Sequence, residues 1–73
     1  MKAHITTKKE MYEALEVLNN TSIKRLYAIE DTCGPYKLIT KNHSHYIAWA
    51  ETKATMKKII WSIINYINAE EER

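Results

Sequence analysis

At 73 residues the chain is about half of one typical domain, which excludes a multi-domain protein, a catalytic barrel and a full dinucleotide-binding sheet. Hydrophobic residues make up 45% and charged residues 27%, too apolar for a disordered chain and too interrupted for a membrane span. The formal charge of +2 is unevenly spread: residues 1–20 hold three Lys and three Glu, residues 70–73 sum to −2, and the middle therefore carries +4.

The first element opens on Thr7-Lys8-Lys9-Glu10, a capping box, and predicts a helix over 8–19. Met11, Ala14, Leu15 and Leu18 recur on one stripe, Glu10, Glu13 and Glu16 fall on the solvent side, and Asn19-Asn20 offers residues that tolerate a left-handed stop. From Ser22 the texture turns β-branched and aromatic with a period of two, Ile23, Tyr27 and Ile29 against Leu26 and Ala28, which predicts a strand. Asp31-Thr32-Cys33-Gly34-Pro35 concentrates the only glycine and the only proline and reads as a turn.

Tyr36–Lys41 alternates Lys37, Ile39 and Lys41 with Tyr36, Leu38 and Thr40, a second strand. After the polar turn Asn42–His45 comes a third, Tyr46–Ala50, with Ile47 and Trp49 opposite Tyr46, Ala48 and Ala50. Thr52 then caps a helix running to about Asn68. Its residues Met56, Ile59, Ile60, Ile63, Ile64, Tyr66 and Ile67 form a wide apolar arc expected to pack through its Ile60, Ile63 and Ile67 side. Glu70, Glu71 and Glu72 sit at the negative end of the helix dipole, so residues 69–73, like 1–6, are expected to be loose.

These elements compose one small α+β domain over residues 1–73, in the order α-β-β-β-α, with a three-stranded antiparallel meander and both helices packed on one face. The other sheet face is then open. So short a chain buries only about 60% of the surface its unfolded form exposes and needs reinforcement. With the single Cys33 and no Cys/His quartet at zinc spacing, helix packing or self-association must supply it, and a homodimer is the expectation. The lone cysteine and a polar first 20 residues lacking a signal-peptide h-region point to the cytoplasm.

Two surfaces compete as functional sites. Trp61 lies outside the apolar arc, on the side of Lys57, Asn65 and Asn68, where a large aromatic is wet unless something covers it. Its structural alternative is a side chain covered by the first helix or by the loop near Asn42. The second surface is basic: Arg25, Lys37 and Lys41, interleaved with Tyr27 and Tyr46, could track phosphates and stack bases, or could simply keep the protein soluble.

Cys33, His43 and His45 offer metal-ligand chemistry, but successive turns of a meander lie at opposite ends of the sheet, so no metal or cofactor is expected and solvated loop histidines are the reading. The same separation argues against a Cys–His nucleophile, and no acid pair stands in a cleft, so the chain is not expected to be an enzyme or to take a small-molecule substrate. The expected function is binding. In size and composition the chain is similar to phage or mobile-element accessory factors. A protein target met through the Trp61 helix face or the open sheet face comes first, a nucleic acid on the basic sheet face second, and no membrane is involved.

Overall fold

In the computed structural model of this chain, residues 5–22, 25–31, 34–41 and 46–71 are described. They form α1 (Lys8–Thr21), β1 (Tyr27–Glu30), β2 (Tyr36–Thr40), β3 (Tyr46–Ala50) and α2 (Lys53–Glu71). The strands make one sheet with β2 in the centre, antiparallel to both neighbours, which is the expected α+β meander.

α1 starts where its capping box sets it. The Glu10 N–H donates to Thr7 Oγ1 at 3.2 Å and the Thr7 N–H donates to Glu10 Oε1 at 2.9 Å, so two amides near the helix start find partners. Met11, Ala14, Leu15 and Leu18 are all buried. The far end departs from the expectation, because the helix passes Asn19 and Asn20 and stops only at Ser22, whose extended backbone (φ −83°, ψ 118°) leaves its N–H donating to Leu18 O at 2.8 Å.

Asn19 serves a different purpose from a left-handed stop. Its Nδ2 donates to Tyr27 O at 3.1 Å and its Oδ1 accepts from the Tyr27 N–H at 2.7 Å. The amide side chain thus imitates a neighbouring strand and pairs with backbone groups on the outer edge of β1, tying the end of α1 to the sheet. The strand itself begins at Tyr27, later than Ser22, and Ile23 and Lys24 lie outside the described residues. The turn before β2 holds Gly34 at φ 118°, a backbone that L side chains rarely adopt, which is why the one glycine stands there.

α2 opens on Thr52, whose Oγ1 accepts from the Thr55 N–H at 3.2 Å while its carbonyl accepts from the Met56 N–H at 3.1 Å. The helix continues to Glu71, past the expected end near Asn68. Met56, Ile60 and Ile64, spaced by four, are the fully covered row, and Ile59, Ile63 and Ile67 flank it half-buried, which moves the packing side from Ile63 and Ile67 toward Ile60 and Ile64. Tyr66 leaves the core altogether at 67% exposed, because the apolar arc is wider than what α1 and the sheet cover.

Tyr27, Leu38 and Ala50, all from one sheet face, join the buried residues of both helices in a single core. The helices pack most extensively on each other, with α1 beside β1 and α2 over β2 and β3. Both therefore lie on the same side of the sheet, and the Cα extents of 40 × 31 × 16 Å are those of a two-layer domain with one face open.

Candidate functional site

The open face is built by alternation and then altered by one irregularity. On β2 the inward residues Leu38 and Thr40 are buried, so Lys37 and Ile39 point the other way. Residues paired across antiparallel strands share a face. Glu30, Lys37 and Trp49 accordingly form one row, and Ala28, Ile39 and Tyr46 form the next. The Lys41 N–H donates to Leu26 O at 2.7 Å, which extends the ladder to a third row of Leu26 and Lys41.

Tyr46 reaches that face only through a β-bulge. Leu38 pairs with Ala48, but Ile39 pairs with Tyr46, so β3 spends one extra residue, Ile47, between the two pairs. Strict alternation assigns Tyr46 to the side of Ala48 and Ala50; the bulge reverses its parity and sets it beside the Trp49 row. Trp49 is 51% exposed and Tyr46 is 55% exposed. Trp49 is the residue the sequence reading missed. Its signal was the pair of alanines of opposite parity: Ala50 is small enough to fit under the helix, which leaves the tryptophan outward.

Tyr27 is a correction in the other direction. Expected to contribute a stacking ring to the basic face, it pairs with buried Thr40 and is itself buried in the core, on the covered side of the sheet. Arg25, Lys37 and Lys41 are exposed, and Arg25 precedes β1 next to Leu26. Glu30 stands opposite Lys37 and offsets that end of the face. Asp31 is engaged elsewhere, its Oδ2 lying 2.8 Å from Lys8 Nζ, and the hydrogen bond and charge of that carboxylate raise the Lys8 pKa above its ordinary 10.5. Among the described residues, Lys37, Lys41 and Arg25 enter no ion pair.

The helix surface is a different kind of place. Trp61, 39% exposed, lines an open groove of about 180 Å³ between the helices with Glu13, Ala14 and Val17 of α1, so the first helix covers part of it. Lys57 lines the same groove, its Nζ 3.9 Å from Glu10 Oε2, and Glu10 is half-buried there rather than on an open solvent face. Asn65 and Asn68 continue along that side of α2, exposed and beyond the groove. A wider hollow of about 380 Å³ lies beside Tyr36 and the start of α2.

Cys33, His43 and His45, weighed as metal ligands, and His4 lie outside the described residues. Among the described residues no three His, Cys, Asp or Glu side chains gather as a metal site, and no helix is long and apolar enough to cross a membrane. Comparison with protein-family models, curated proteins and solved structures finds no match to this chain.

Proposed function

We propose that this chain is a small binding domain, not an enzyme, and that it engages nucleic acid through the open face of its sheet. The observation that carries this reading is the bulge at Leu38/Ile39, which sets Tyr46 beside Trp49 on the face that holds Lys37 and Lys41. Lysines neutralise phosphates and release their counterions, and aromatic rings stack on bases of any identity. Neither group needs a metal, a nucleophile or an acid–base pair to work. A single cysteine in the chain suits a reducing, cytoplasmic setting for such a domain.

The reading is tested by retention of a mixed pool of short DNA and RNA at low and high salt. The wild-type chain retains the pool at low salt and releases it as salt rises, whereas Lys37→Glu with Lys41→Glu abolishes retention while circular dichroism shows the fold intact. Retention that survives the double charge reversal removes the sheet face as the site.

A second reading, a protein target or a second copy of this chain, is supported by the groove where Trp61, half exposed, meets Val17, which is 38% exposed. Light scattering across a concentration series decides it. A dimer that Trp61→Ser dissociates supports the groove as an interface, and a monomer indifferent to that substitution, with every partner interaction kept, removes it.

A further inference from the structure

The open sheet face carries a more specific conclusion, which rests on the nucleic-acid reading above. We infer that its occupant is a single strand, held with one base on Trp49 and the next on Tyr46, and that duplex is the poorer ligand.

Three features of the face converge on that occupant. The first is spacing. Trp49 and Tyr46 pair with Lys37 and Ile39, two residues apart on β2, so their rows are separated by about 7 Å at a strand rise of about 3.4 Å per residue. Bases in a duplex follow one another at about 3.4 Å, half that distance. Two rings at this separation suit a strand whose bases have been splayed apart, each free to lie on a ring, and do not match bases held in a stack.

The second feature is chemical. Reading a duplex requires hydrogen-bonding side chains that reach base edges in a groove. The middle of this face instead offers Trp49, Tyr46, Ile39 and Ala28, which present rings and alkyl groups. A ring stacks on the flat of a base, and duplex bases have that surface already covered by their neighbours, whereas single strands leave it available.

The third feature is charge complementarity. Lys37 shares the row of Trp49, and Lys41, just past the end of β2, stands one row beyond Tyr46, about 14 Å along the strand from Lys37. Glu30 offsets Lys37 at one end, while Lys41 stands at the other opposite Leu26, with no acid in its row. The phosphates therefore run along β2 toward Lys41, and the bases lie over β3.

The experiment uses the full chain carrying Trp61→Phe, which leaves Trp49 as the only tryptophan. Its emission is followed as oligothymidylate of about 12 nucleotides, or a mixed-sequence duplex of the same length, is added at about 50 mM and about 200 mM salt. The expected result is quenching by the single strand, at least about tenfold tighter binding of the single strand than of the duplex, and a loss of about tenfold or more from Trp49→Ala or Tyr46→Ala followed by anisotropy of labelled oligonucleotide. Lys41→Gln lowers the salt slope by about one. Should Trp49→Ala fail to fold by circular dichroism, Trp49→Leu keeps the apolar contact and removes the ring, and the same loss is expected.

Equal or tighter binding of duplex, with emission unchanged and with sensitivity only to Lys37→Glu and Lys41→Glu, overturns the single-strand inference and leaves the nucleic-acid reading standing. No binding of either oligonucleotide by folded protein at the lower salt overturns both, and a protein partner on this face then takes their place.

Discussion

The two faces of the sheet differ in a way that hydrophobicity does not anticipate. The covered face takes Tyr27, Leu38, Thr40 and the small Ala50, while the open face keeps Trp49, Tyr46 and Ile39. Apolar content alone would bury the tryptophan before the alanine. What decides is room: α2 lies over β2 and β3, and beneath a closely packed helix an alanine fits where an indole does not. Burial is thus set by the shape of the layer above as much as by the side chain below, and the large residues left outside are the ones free to meet a partner.

Leu38→Ala is the severest test of this contrast. Leu38 is fully buried at the centre of the core, so its truncation is expected to destabilise the domain by about 3 kcal/mol or more. A chain of this length has only several kcal/mol in hand, at about 0.05–0.15 kcal/mol per residue, so urea unfolding should show the variant at the edge of folding. Trp49→Ala removes a far larger side chain from the opposite face of the same sheet, yet should shift the urea midpoint only slightly. A midpoint loss for Trp49→Ala equal to that of Leu38→Ala would mean that the open face is part of the core and that something covers it.

The next effect concerns the join between the layers. Asn19→Ala removes both hydrogen bonds to the Tyr27 backbone and is expected to cost about 2 kcal/mol, since two polar groups at a partly buried edge lose their partners. Hydrogen exchange at the Tyr27 amide should accelerate more than exchange in β2. Asn19→Asp retains an acceptor for the Tyr27 N–H but turns the donor into a second acceptor facing Tyr27 O, so it should not recover the stability of the asparagine. Thr7→Ala, which disrupts the capping box but touches neither face of the sheet, should cost about 1 kcal/mol and leave oligonucleotide binding unchanged.

Much of this architecture was legible in residue order because it is local. The capping box of Thr7 and Glu10, the stripe of α1, the alternation of β2 and the Thr52 cap each depend on neighbours within four residues. What escaped depends on partners elsewhere. Asn19 looks like a helix stop until Tyr27, eight residues on, presents its backbone. Tyr46 has the parity of an inward residue until the pairing with Ile39 inserts a bulge, and Tyr27 has the look of a stacking ring until its face is covered. Tyr66 falls within the apolar arc yet stays outside the core, because a helical wheel gives the width of an arc and not the width of what lies against it. For the site, Lys37 and Lys41 were visible from alternation, whereas the aromatic half required the register.

The smallest expected effect lies at the rim where α1 meets the end of β1. Lys8 Nζ sits 2.8 Å from Asp31 Oδ2, and that carboxylate raises the lysine pKa in the folded protein above the ordinary 10.5. A group whose pKa is higher folded than unfolded binds its proton more tightly in the native state. Its contribution is therefore fully present below 10.5 and is lost as pH climbs through the raised folded value. Lys8 is exposed, so the effect is small and salt screens it further. In low salt, urea midpoints of the wild-type chain should fall more steeply above pH 10.5 than those of Lys8→Gln, and the difference should vanish in Asp31→Asn, where the lysine has lost its carboxylate. Identical alkaline limbs in all three proteins would mean that this contact contributes nothing to the junction, which would then rest on Asn19 and the core.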